Sequence, residues 1–221
     1  MDLFYPYLGK QIDFEILGDR RHIGYLIDMG PDIIVVFKES KFLYIPLSHV
    51  RHLMIPPIIV PNIAAPDLPT SSQHEVISYC SILRNAKGVL CEIYLADHQS
   101  MYGTISDILT DYFIFTTPLN KIMIIPLIHL KWISPNPSSA TSASLKFEQI
   151  DLQQQPAFTF AETFEEQLKL HEGSIISIDE GLKTNKLGLL QKQKDRILEL
   201  VTLDEKKHYY HLQHIKNVCI G

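Results

Sequence analysis

One closing segment occurs three times in this chain, and it limits the possible folds more than any other feature. Its copies are Leu47-Ser48-His49-Val50-Arg51-His52-Leu53, Leu127-Ile128-His129-Leu130-Lys131-Trp132-Ile133 and Leu212-Gln213-His214-Ile215-Lys216-Asn217-Val218. Each reads Leu-x-His, aliphatic, Lys or Arg, x, apolar. The spacing upstream repeats with it. Gly24, Gly103 and Gly188 precede His49, His129 and His214 by 25 or 26 positions, and Gly9, Gly88 and Gly173 lie 15 positions before those. Asp32, Asp111 and Asp195 follow the inner glycines by seven or eight positions. Two glycines, an acid and a closing motif in one period imply three copies of one supersecondary unit.

The pattern inside each copy is that of strands. In the first, Ile12, Phe14 and Ile16 fall on one face of an alternating run. His22–Met29, Ile33–Lys38 and Phe42–Leu47 follow as strands. The Leu-x-His segment makes a single tight turn, and Val50–Ile55 closes the copy. Gly24, Gly103 and Gly188 sit in the second strand of their copies, where a strong bend would leave a Cβ awkwardly placed. Helical signals stand before the second and third copies. Ser72 with Glu75 and Thr163 with Glu166 have capping-box spacing. Val76, Cys80 and Leu83, and then Phe160, Phe164 and Leu168, have helical spacing. Pro6 holds any helix at the start to about one turn.

A short helix and five bent strands in so few residues predict a mainly β chain of three tandem five-stranded barrels. The expected modules are residues 1–56, 73–134 and 159–221. A Pro-rich linker at 57–72 and a flexible linker at 135–158 would join them.

The net charge of −5 argues against binding dominated by phosphate neutralisation. Cys80, Cys91 and Cys219 are far apart and odd in number, so no disulfide framework or zinc-type pairing follows from them. No basic region with a long apolar run opens the chain, and no apolar run reaches membrane-spanning length. Synthesis in the cytoplasm is expected.

The chemistry-bearing residues favour a non-enzymatic protein. Asp32, Asp111 and Asp195 recur without a repeating general-base partner, and Asp in a turn ordinarily bonds its own downstream amides. His208, His211 and His214 tempt a metal reading, but positions 208 and 211 face opposite ways on a strand. No nucleophile elbow, phosphate loop, dinucleotide fingerprint or His-Glu-x-x-His is present. Neither a cofactor nor a catalytic or metal set is expected. For His49, His129 and His214 the expected role is to cap the turn by a side-chain bond to backbone.

The helix, five bent strands and strand-two glycine resemble the Sm-like fold. The closing motif is similar to that of the bacterial Sm-like RNA chaperone, whose motif His helps bind RNA. The Lys that precedes that His is replaced here by Ser48, Ile128 and Gln213. The region that reads bases holds Ile33, Val35, Tyr112 and Ile114. RNA binding is therefore expected to be weak. A closer resemblance is to the spore coat protein B-like family of spore-forming bacilli, carried by Gly24, Gly103, Gly188, His49, His129, His214 and the Val50/Leu130/Ile215 series. It implies a structural or assembly protein of the spore coat with other coat or scaffold proteins as partners. The alternative is a degenerate Sm-like RNA-binding protein.

The Sm-like resemblance also implies edge pairing between modules. The strands carrying Tyr44, Ile124 and Tyr209 are the expected open edges. Module two is expected to pair in part with another module of the same chain. A remaining edge would then drive homo-oligomerisation.

Overall fold

The computed structural model describes residues 4–18, 21–57, 76–96, 99–135, 159–179 and 184–220. Residues 58–75 and 136–158 hold most of both expected linkers and the Ser72/Glu75 capping box, so those expectations lie outside the described residues.

The chain is mainly β and its strands pair antiparallel in an open sheet. The first repeat gives β1 (Gln11–Ile16), β2 (Arg21–Met29), β3 (Ile33–Lys38), β4 (Lys41–Pro46) and β5 (Val50–Met54). The second gives α1 (Tyr79–Ala86), β6 (Leu90–Ala96), β7 (Gln99–Ile108), β8 (Tyr112–Thr116), β9 (Ile122–Pro126) and β10 (Trp132–Pro135). The third gives α2 (Phe164–Leu170), β11 (Ile175–Ile178), β12 (Leu187–Lys194), β13 (Ile197–Val201), β14 (Lys207–His211) and β15 (Val218–Ile220).

Two compact units divide the chain, and they do not coincide with the repeats. One is Met1–Ile105 with His129–Asn136; the other is Ser106–Ile128 with Pro137–Gly221. The first unit runs β7-β6-β10-β4-β3-β2-β1-β5, the second β14-β13-β12-β11-β15-β9-β8. In the first and third repeats the fifth strand lies outside the first, in the order 5-1-2-3-4. The second repeat contributes β10-β6-β7 to one unit and β9-β8 to the other. Within each repeat strand five neighbours strand one, and among the described residues strands four and five of one repeat do not pair with each other.

Apolar content explains which strands are central. β8 is buried along its whole length, and the first four residues of β3 are buried. Their β-branched and aromatic side chains suit strands covered on both faces. The first unit has a core of Ile12, Phe14, Leu26, Val36 and Ile45. That of the second joins Tyr112, Ile114 and Ile124 to Leu168, Leu198, Leu200 and Val218.

Thr163 caps α2 as its spacing predicts: its side chain accepts from Glu166 N, and Glu166 answers to the Thr163 backbone. α1 is a correction. It starts at Tyr79, with Ser78 as its cap and Ser81 completing the box. Val76, expected on the helix, precedes it and is exposed.

The strand-two glycine is explained by close approach. A Cβ on Gly24 would lie 2.6 Å from Val36 Cγ1 and 2.7 Å from Phe37 O. One on Gly188 would strike the Val201 carbonyl. Two residues beyond each glycine the register slips, between Leu26 and Asp28 and between Leu190 and Lys192. Such bulges bend a strand and re-aim it. Gly24→Val is expected to destabilise the first unit by about 1–3 kcal/mol, the range for overpacking. A thermal melt superimposable on wild type would show that β2 and β3 part without cost.

Candidate interaction site

The three Leu-x-His segments form single 3-10 turns, Leu47–His49, Leu127–His129 and Leu212–His214. Pro or His stands before each turn, and the backbone is extended on leaving the first and third. Each turn lets the chain leave strand four and enter strand five without pairing the two. Strand five of one repeat meets strand four of the repeat before it instead. β10 pairs with β4, Ile133 opposite Tyr44. β15 pairs with β9, Val218 opposite Ile124 and Cys219 opposite Met123. The edges expected at Tyr44 and Ile124 are thus occupied within the chain. Tyr209 lies on β14, which ends the strand order of its unit.

Side chains reinforce the first of these seams. Lys41 Nζ donates to Glu92 Oε2 at 2.6 Å, and Ser100 Oγ donates to Glu92 Oε1 at 2.5 Å. Burial alone would push the Glu92 carboxyl up; the hydrogen bonds from Lys41 and Ser100 outweigh it and hold the carboxyl below its usual value. The same bond raises the Lys41 ammonium. A depressed carboxylate adds stability above its unfolded value, about 4.3, and loses it as pH falls through the folded value. Glu92→Gln is expected to cost about 1–2 kcal/mol at neutral pH. The wild-type and variant melting temperatures should then converge on acidification. A gap that stays constant down to about pH 3 would remove Glu92 ionisation as the cause.

The motif histidines do not share one role. His49 is buried, with Lys131 Nζ 3.1 Å from its Nδ1. This contact joins a residue of the second repeat to the turn of the first. In the third repeat the capping side chain is His211, whose Nδ1 accepts from Gln213 N at 3.2 Å. His214 is exposed and its ring lies 5.8 Å from that of His211. His129 is half-buried. The turn of the third repeat is thus capped by His211 rather than by the motif residue His214. Among the described residues no group of three or more His, Cys, Asp or Glu could hold a metal ion.

The periodic acids also separate. Asp32 Oδ1 accepts from Tyr79 N at 2.9 Å, and Asp111 Oδ1 accepts from Phe164 N at 2.7 Å. Tyr79 and Phe164 open α1 and α2, so each acid receives an otherwise unpaired amide of the next repeat's helix. Sequence reasoning, which gave these acids to their own turns, missed this. Asp195 is a turn residue. It and Arg196 have φ of 53° and 61° in the two-residue hairpin between β12 and β13. Backbone bonds place Arg196, not Asp195, in register with the other acids. Leu47 N donates to Asp32 O, Leu127 N to Asp111 O and Leu212 N to Arg196 O.

Within the second unit a cavity of about 750 Å³ lies beside two of the turns, lined in part by Asp111, Ile128, Glu165, Arg196, His211 and Gln213. Opposite charges share its walls. They form neither a basic track nor a nucleophile–base pair.

An uncharacterised Bacillus subtilis (strain 168) protein, YwrJ, is 31% identical over 217 residues, covering 96% of this chain and 96% of its own. This chain belongs to the YwrJ family. A family model described as the YwrJ third domain matches residues 163–218, the span from Thr163, the cap of α2, into β15. In this YwrJ-family chain, that matched segment therefore contains the third Leu-x-His turn and the strand that pairs with β9.

Proposed function

We propose that this protein is a non-enzymatic structural or assembly protein of the bacterial spore coat. Each repeat is an Sm-like module and acts through protein–protein contacts. The observation that carries the reading is the seam formed twice by strand five of one repeat on strand four of the one before. Main-chain pairing of this kind joins modules without requiring a particular side chain at each position. The coat as location rests on the resemblance to the coat protein B-like family, and a relative from a Bacillus agrees with it in kind of organism. A fluorescent fusion in the native host tests the reading. Signal confined to sporulating cells and retained on the spore surface is the expected result. Expression in growing cells with no spore signal overturns it.

A degenerate Sm-like RNA-binding protein is the second reading. It rests on the likeness of the three closing Leu-x-His motifs to that of the bacterial Sm-like RNA chaperone. Nanomolar, salt-dependent binding of a U-rich or A-rich RNA in fluorescence anisotropy would select it, since phosphate contacts carry a salt slope.

A further inference from the structure

The two internal seams follow one rule, and the rule leaves one strand of each kind over. Strand five of the second repeat is on strand four of the first; strand five of the third is on strand four of the second. The unused partners are β5 and β14. Among the described residues β5 pairs only with β1, and β14 only with β13. Resting on the assembly reading above, we propose that β14 of one chain pairs antiparallel with β5 of a second copy.

The internal seams fix the register. Ile133 and Val218 each stand four positions after their motif His, and their partners Tyr44 and Ile124 each stand five before theirs. The same offsets put Leu53 opposite Tyr209. Cys219 opposite Met123 likewise puts Met54 opposite His208. Exposure agrees. Ile124, the match of Tyr209 in the second seam, is 1% exposed and Cys219, the match of Met54, is 4% exposed, whereas Tyr209 is 63% and Met54 36% exposed. Lys131 reaches His49 across the first seam; Arg51 and His214 occupy the matching positions of the new one.

Both edges carry basic residues, and Lys207 on β14 is offset by Glu199 at 2.7 Å. Pairing therefore relies on main-chain bonds and on Tyr209, Met54 and Leu53 rather than on opposite charge. In the third repeat Arg196 stands in the register position where Asp32 and Asp111 receive a helix, and among the described residues the first repeat opens on the 3-10 turn Tyr5–Tyr7. The contact between copies is thus strand on strand. Each copy offers one strand of each kind, so the contact is head to tail.

Size exclusion with light scattering on the full chain tests the proposal. Wild type should form species larger than one chain across micromolar concentrations, and Tyr209→Lys should abolish them with an unchanged thermal melt. A cross-link then reads the register. In a Cys80→Ser background, Met54→Cys in one tagged chain and His208→Cys in another should give an inter-chain disulfide that either variant alone does not. A strictly monomeric wild type overturns the proposal, as does an assembly indifferent to Tyr209→Lys or a cross-link that fails while assembly persists. A monomer that still coats spores would sink this contact and leave the coat function standing. Assembly through these strands in a protein absent from spores would do the reverse.

Discussion

Ile124→Lys is expected to destabilise the second unit by about 3–5 kcal/mol, the cost of an uncompensated buried charge. At an open edge the same change would only repel a partner. Ile124 is 1% exposed, with Val218 opposite it on β15 and Ile114 opposite it on β8. It packs in the cluster that holds Tyr112, Leu198 and Leu200. An ammonium placed there loses its water and gains no partner. Denaturant unfolding of wild type, Ile124→Val and Ile124→Lys measures the effect. Ile124→Val should cost about 0.5–1.5 kcal/mol, the usual value for one buried methylene. The contrast with Tyr209→Lys is decisive, because Tyr209 is the matching residue of the third repeat and should leave the melt unchanged. If both lysine variants melt like wild type, β9 is open to solvent and the β9–β15 seam is wrong.

That contrast marks what the sequence makes legible. The repeats, the strand runs and the tight turns could be read because they rest on local rules. Alternation buries Ile12, Phe14 and Ile16, and a strand-two glycine admits its neighbour's backbone. Partnership between repeats was legible only as an expectation. A strand edge is made of N–H and C=O groups that every residue carries, so no side-chain pattern names the strand it will meet. Nor does spacing distinguish an acid that bonds its own turn from one that receives a helix from the next repeat. Asp32, Asp111 and Asp195 look alike in sequence, yet two receive helices and the third turns a hairpin. The one-residue slip that puts Arg196 in register was visible as a spacing of seven rather than eight. Only the bond from Leu212 N to Arg196 O gives it meaning. The start of α1 was misplaced for a related reason. Ser72 and Ser78 both offer a capping hydroxyl, and the helix follows the second of them, where Asp32 also receives Tyr79 N.

The first seam can be tested through the chain's single tryptophan. Trp132 opens β10, opposite Tyr94 on β6, and its ring stacks on that of Tyr94 at 5.5 Å and 16°. It also packs against the core built by Ile12, Phe14 and Val36 of the first repeat. One side chain of the second repeat therefore helps close the core of the first. Trp132 is half-buried, so Trp132→Ala should cost less than a fully buried indole would, about 2–4 kcal/mol. Trp132→Phe keeps a ring against Tyr94 and should recover most of that loss. Circular dichroism melts of the three proteins measure the order. In wild type the indole emission should shift together with the loss of β signal from the first unit, because the ring leaves its apolar contacts only when β10 leaves β4 and β6. Emission that shifts well before any loss of β structure, or an alanine variant as stable as wild type, would place Trp132 outside the core. Either result would reduce the seam to the Ile133–Tyr44 backbone pairing, the Lys131–His49 contact and the Lys41–Glu92 bridge.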